Sequence, residues 1–125
     1  MEPITTFRKL VMPKDLNPAN RLFGGSMMSF LDEAASLFVM CQTGHSNIVT
    51  LKVSEVLFKQ PVKQGDFLTF DARVTGKGTT SLTIEIKVFK KEFEKTPNGS
   101  ILVCECSMVF VTIDPETGKA IPHGI

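Results

Sequence analysis

The chain has no tryptophan, no tyrosine and no excess of either charge; all ten aromatic residues are phenylalanine. Lys and Arg number 14 and Asp and Glu 13, a formal net charge of +1 over 125 residues. Proteins that grip nucleic acid through its phosphates carry a basic excess, so this balance argues against a general nucleic-acid binder. No apolar segment reaches the length of a membrane span, and the run Ser26 to Gln42 is broken by Asp32 and Glu33. The opening Met1-Glu2-Pro3-Ile4-Thr5 lacks the basic-then-apolar layout of a signal peptide, which points to a cytoplasmic protein. Cysteines are few and odd in number. Cys41, Cys104 and Cys106 lie in apolar runs and read as reduced, packed thiols. Cys104 and Cys106 share a strand face, but no further cysteine or nearby histidine completes a zinc set. His45 and His123 stand far apart in glycine-containing loops, so no metal site is expected. The length fits one domain, residues 1–125.

What is present is organised around Leu22-Phe23-Gly24-Gly25-Ser26 and the apolar run from Met27 to Gln42. The spacing predicts a tight turn at Phe23-Gly24-Gly25 feeding a long buried helix. Adjacent glycines permit such a turn and let another group approach the backbone closely. No proline interrupts Ser26 to Gln42, and most residues there are good or fair helix formers. At about 100° per residue, Ser29, Asp32 and Ser36 fall on one line with Gly25, while most other positions are apolar. Such a helix needs wrapping by other elements, with one narrow polar stripe left over. Asp32 therefore shares an edge with the helix N-terminus, where unpaired N–H groups and the positive dipole end lie. A carboxylate there can activate water or attack directly, and the Gly25 N–H can hold a developing oxyanion. The plain alternative is that Asp32 is a polar residue satisfied by Ser29 or Ser36, or simply exposed.

Around the helix the apolar period is two. Thr5 to Met12 reads as a first strand ended by Pro13, followed by an irregular loop from Lys14 to Leu22 in which Asp15, Asn17 and Asn20 are turn residues. Gly44 is placed to cap the helix. Val49, Leu51 and Val53 alternate with polar residues, then the phase flips to Val56 and Phe58, the mark of a β-bulge. Leu68 to Val74, Leu82 to Val88 and Ile101 to Ile113 supply three more strands. The last is apolar on both faces, which predicts a central strand or a subunit interface. Lys90 to Ser100 reads as a solvated hairpin arm with a turn at Thr96-Pro97-Asn98-Gly99, and Asp114 to Gly118 as a turn leading into a tail. Short connections favour an antiparallel sheet with one face on the helix, an α+β arrangement.

Met12-Pro13, Asn17, Leu22-Phe23-Gly24-Gly25, Met28 and Asp32-Glu33-Ala34-Ala35 resemble the opening signature of the hotdog-fold acyl-CoA thioester hydrolases of the YciA type, related to the brain acyl-CoA hydrolases. Val49-Thr50, Phe58, Pro61-Val62, Gly65-Asp66, Gly78-Thr79-Thr80-Ser81 and Asp114-Pro115 with Gly118-Lys119 follow in the same order, so the resemblance covers Thr6 to Pro122. It implies a curved antiparallel sheet wrapped around one long helix. It also implies a homodimer with the active site at its interface, often built into a trimer of dimers. On matching positions it makes Asp32 the catalytic carboxylate, as base or nucleophile, and Gly25, beside Gly24, the donor that polarises the thioester carbonyl. Thr50 resembles a site-lining residue, and Lys77, Gly78 and Ser81 lie where the family meets CoA. No cofactor is implied, since CoA belongs to the substrate. One position departs: Arg21 stands where many relatives carry Asn, Asp or Thr. Arginine cannot act as a base. Either Asn20 takes that role or Asp32 works with other polar groups, and Arg21 either pairs with Asp32 across the interface or holds a CoA phosphate.

Hydrolysis of acyl-CoA is thus the expected function, with Phe30, Leu31, Phe38, Val53 and Phe58 as candidate acyl-chain contacts. A non-catalytic acyl-CoA binding or sensing module on the same fold is the alternative. A hotdog dehydratase needs a catalytic histidine, and neither His45 nor His123 lies at the helix or the glycine pair. A serine hydrolase is excluded because Gly24-Gly25-Ser26-Met27-Met28 lacks the closing glycine of a nucleophile elbow.

Overall fold

The alternating strands and the single helical run assemble into one sheet with one helix on it. The computed structural model describes residues 1–95 and 99–125. Its elements are β1 (Ile4–Leu10), a short 3-10 turn (Pro13–Asp15), α1 (Gly24–Thr43), β2 (Ile48–Val53), β3 (Leu57–Phe58), β4 (Phe67–Lys77), β5 (Ser81–Lys91) and β6 (Ser100–Thr112). The six-stranded sheet runs β1-β4-β5-β6-β2, with β3 also paired to β6, and all pairings are antiparallel. This is the α+β hotdog arrangement. Strand β6 lies inside the sheet between β5 and β2, with one face buried and the other partly exposed.

Helix α1 buries Met27, Leu31, Ala34, Ala35, Phe38 and Val39, spaced as one apolar stripe. They meet Leu68, Phe70, Ala72, Ile84, Ile86 and Val88, the inward residues of β4 and β5. Each large apolar side chain buried here stabilises the fold by roughly 1.5–3 kcal/mol. Gly44 ends α1 in the left-handed conformation (φ 75°), its N–H donating to Met40 O at 2.9 Å. Within the single chain the sheet covers one face of α1, and Met28, Ser29, Asp32, Glu33, Leu37 and Cys41 stay exposed.

Two expectations change. Gly24 and Gly25 are not a turn before the helix but its first two residues, and neither has a positive φ. The strand over Val49 to Phe58 is split into β2 and β3. The register slips between Thr50 and Lys52, leaving Leu51 as the extra, exposed residue. Ser54 then breaks the strand: its N–H donates to Ser107 O at 2.8 Å and its Oγ accepts the Ser107 N–H at 2.7 Å. The arm between β5 and β6 is tied by Glu92 N–H to Gly99 O at 3.0 Å, with Phe93 edge-on to Phe67 at 5.7 Å. The turn expected at Thr96-Pro97-Asn98-Gly99 lies mostly outside the described residues.

On the sheet face away from α1, Arg73 and Glu85 are cross-strand partners with Nε and Oε1 2.8 Å apart. The hydrogen bond from Arg73 holds the Glu85 carboxyl below its ordinary value, against a smaller opposing effect of burial. A lowered pKa in the folded state contributes stability above the unfolded pKa, and that stability is lost as pH falls through the folded value. Both side chains are partly exposed, so the contribution is small. The melting-temperature gap between wild type and Glu85→Gln is expected at neutral pH and should close below about pH 4. A gap that persists unchanged in acid would mean the pair contributes by packing alone.

Candidate active site

The loop before α1 is built to hold the helix start in place. Asp15 is buried, and its Oδ2 accepts the Met12 N–H at 2.9 Å with Lys9 Nζ 3.9 Å away. Its carbonyl takes the Phe23 N–H at 2.9 Å, and Val62 O takes the Leu22 N–H at 2.7 Å. Asn17 Oδ1 accepts from Ala19 N–H (2.9 Å) and Arg21 N–H (3.1 Å), closing residues 17–21 into a compact loop. Asn20 sits at the tip of this loop in the left-handed conformation (φ 60°) and is exposed, as is Arg21. Arg21, Leu22, Phe58, Pro61 and Val62 line a shallow cleft of about 310 Å³ beside it.

Phe23 is the N-cap residue and offers no side-chain cap. The first intrahelical bond comes from Met27 N–H to Phe23 O at 3.1 Å. Among the described residues, nothing accepts from the N–H groups of Gly24, Gly25 or Ser26. A Cβ at Gly25 would lie 2.6 Å from Cε1 of Phe23, an exposed ring that can swing aside, while Gly24 is open.

Asp32 lies two turns further along the exposed edge of α1. Its partner is neither Ser29 nor Ser36. Thr50 Oγ1, on β2, donates to Asp32 Oδ1 at 2.8 Å. The second carboxylate oxygen has no partner among the described residues, so the group is oriented by one bond and left able to accept a proton. The structure thus joins Asp32 with Thr50 and places Gly24 and Gly25 on the same helix, with Asn20 and Arg21 in the preceding loop. Lys77, Gly78 and Ser81 form a separate group in the β4–β5 turn, which Gly78 N–H closes onto Ser81 O at 2.9 Å. No hydrogen bond or ion pair links that turn to Asp32 or Gly25 among the described residues. Of the candidate chain contacts, Leu31 and Phe38 are core, Phe30 is half-buried, and Val53 and Phe58 are exposed. A cysteine nucleophile is excluded on the sheet: burial pushes the Cys104 thiol up to about 12 and Cys106 up to about 11, far from thiolate at neutral pH.

The sequence model of the thioesterase superfamily covers residues 19–96. The chain belongs to the thioesterase superfamily. The Escherichia coli acyl-CoA thioester hydrolase YciA is 36% identical over 110 residues, which is 87% of this chain and 83% of that superfamily member. Among solved thioesterases, the acyl-CoA hydrolase from Staphylococcus aureus in complex with butyryl-CoA, CoA and CoA disulfide superposes with a TM-score of 0.85. It is 30% identical, over 93% of this chain and 68% of its own. A hexameric thioesterase from Yersinia pestis gives a TM-score of 0.85 at 28% identity, over 95% and 93% of the two chains. Solved forms of the staphylococcal enzyme carry alanine in place of an asparagine, an aspartate or a threonine. That asparagine and aspartate lie fifteen residues apart, the separation of Asn17 and Asp32 here. Asn17, expected as a turn residue, does close the loop through its side chain. Asp15, read as a turn residue, is the buried anchor of the loop.

Proposed function

We propose that this chain hydrolyses acyl-CoA thioesters to free acid and CoA, with Asp32 as general base. Thr50 holds Oδ1, and Oδ2 takes the proton from a water whose oxygen attacks the thioester carbon. The oxyanion formed is held by the Gly25 N–H at the positive end of α1. The C–S bond then breaks, and the CoA thiolate leaves with the proton carried by Asp32. The observation that carries this reading is the exposed, singly tethered Asp32 carboxylate on the helix that also presents the uncapped glycine N–H groups. No cofactor enters the reaction, since CoA is part of the substrate.

The active site is proposed to lie at a homodimer interface, with Asp32 from one protomer and Gly25 from its partner. Strand β2 supports this arrangement. It is a sheet edge next to Asp32 with exposed Val49, Leu51 and Val53, a surface suited to pairing with a second copy. The hexameric Yersinia relative supports assembly as a trimer of dimers.

Gly24, Arg21, Thr50, Lys77, Gly78 and Ser81 are proposed to contact substrate. The loop before the helix is proposed to supply an amide, from Asn20 at its tip or from Asn17, whose NH₂ stays available while its Oδ1 closes the loop. The spacing in the staphylococcal enzyme favours Asn17. No helix among the described residues is long and apolar enough to cross a membrane, and a cytoplasmic setting is part of the proposal. Thr50→Val tests the orienting bond, because it keeps the shape and removes the donor. Thiol release from acyl-CoA should fall about five- to twentyfold in kcat. An unchanged kcat would mean Asp32 needs no orientation from β2.

A further inference from the structure

We infer that His123 is a positioning residue for substrate binding, latching the C-terminal segment onto the β4–β5 turn that receives the phosphate-bearing end of CoA. This rests on the reading above, in which Lys77, Gly78 and Ser81 contact CoA.

The residues after β6 turn back in an ordered way. Asp114 N–H donates to Lys119 O and Gly118 N–H to Asp114 O, both at 2.8 Å, with Gly118 left-handed at φ 71°. Asp114 Oδ1 accepts the Glu116 N–H at 2.8 Å, and Ile113 then bridges Ala120. The motif Asp114-Pro115 with Gly118-Lys119 is thus a device for reversing the chain. The returning segment runs beside the end of β6, where Ile121 N–H donates to Thr112 O at 2.9 Å and Thr112 Oγ1 donates to Ile121 O. The expectation of a plain tail is corrected here.

This path delivers His123 to the β4–β5 turn, where it is only 3% exposed. Its N–H donates to Thr79 O at 3.2 Å, and its Nε2 is 2.6 Å from Gly78 O. Its Nδ1 accepts the Ile125 N–H at 3.1 Å. A carbonyl only accepts and an amide N–H only donates, so the two contacts select the tautomer with the proton on Nε2. The turn is held on its other side as well: Gly78 N–H reaches Ser81 O, and a Cβ at Gly78 would lie 2.6 Å from Ser81 Oγ. Thr80 O accepts the Thr112 N–H at 3.2 Å. The carbonyls of residues 78, 79 and 80 are therefore each tied to the C-terminal part of the chain. That leaves the exposed Lys77 side chain, which has no ion-pair partner among the described residues, on a fixed base. An ammonium on a turn held this way suits a phosphate.

The test compares an acyl-CoA with the matching acyl-pantetheine thioester, which lacks the nucleotide. It uses wild type, His123→Ala, His123→Gln and the double variant Lys77→Ala/Ser81→Ala. His123→Ala should raise KM for acyl-CoA about five- to tenfold, the loss of one buried hydrogen bond, and leave its kcat within about twofold. Turnover of acyl-pantetheine should not change. His123→Gln, whose amide N–H can reach Gly78 O, should recover most of the KM. If His123→Ala leaves KM unchanged while the double variant raises it, the latch is overturned and the turn remains a CoA contact. If neither raises it, the turn is not a CoA contact and the inference falls with that reading. Equal loss on both substrates would also overturn the latch, because it would mark His123 as a general structural residue.

Discussion

Replacing Asp32 by Asn is expected to lower kcat for acyl-CoA hydrolysis by about two to four orders of magnitude, the contribution of a positioned general base. The substitution is close to isosteric, and the Asn oxygen still accepts from Thr50 Oγ1 as Asp32 Oδ1 does. What it removes is the ability to take a proton. Asp32 is exposed in the single chain and makes no core contact, so melting temperature should hardly move. Binding of CoA should also survive, because its proposed contacts lie on Arg21 and the β4–β5 turn. Thiol release, thermal melting and CoA binding on one preparation separate these effects. Undiminished turnover would place the catalytic carboxylate elsewhere, with the exposed neighbour Glu33 the next residue to replace.

The second large effect is on stability. Phe70 on β4 is fully buried and joins three elements. Its ring is edge-on to Phe7 of β1 at 5.3 Å and 61°, and to Phe30 of α1 at 6.3 Å and 85°. Phe7 and Phe70 are also cross-strand partners, so the cluster pins the β1–β4 register under the helix. Phe70→Ala removes the central ring and leaves a cavity that the sheet cannot easily close. A cost of about 3–5 kcal/mol is expected, which for a domain of this size lowers the melting temperature by roughly 10–20 °C. Phe70→Leu should cost much less. Both should be measured at one protein concentration, since assembly adds to apparent stability. A loss under about 1 kcal/mol for Phe70→Ala would mean the core repacks around the gap.

Much of this architecture is legible in residue order. The helix shows as an apolar run without proline, and the strands as period-two alternation, because those periods are set by local geometry. The phase flip after Val53 correctly marks a disruption, though its form, a bulge at Leu51 and a break at Ser54, depends on Ser107 far along the chain. Asp32 is legible as a polar position in line with Gly25, and the structure leaves it exposed beside Glu33. Its tether to Thr50 is not, since a contact between a helix and a strand eighteen residues on has no local signature. The glycine pair shows the same limit. The expected turn is instead the first turn of α1, and the group nearest Gly25 is the exposed ring of Phe23, two residues before it. His123 is the hardest case. One histidine binding a backbone carbonyl forty-five residues away leaves no pattern in sequence.

The measurement that bears most directly on the account is release of free CoA thiol by the wild-type protein across a panel of acyl-CoA chain lengths, with free acid quantified beside it. One CoA and one free acid per turnover, on at least one chain length, is the result predicted. Saturable acyl-CoA binding with no thiol released on any chain length would contradict it, and would make the protein a binding module on a thioesterase fold.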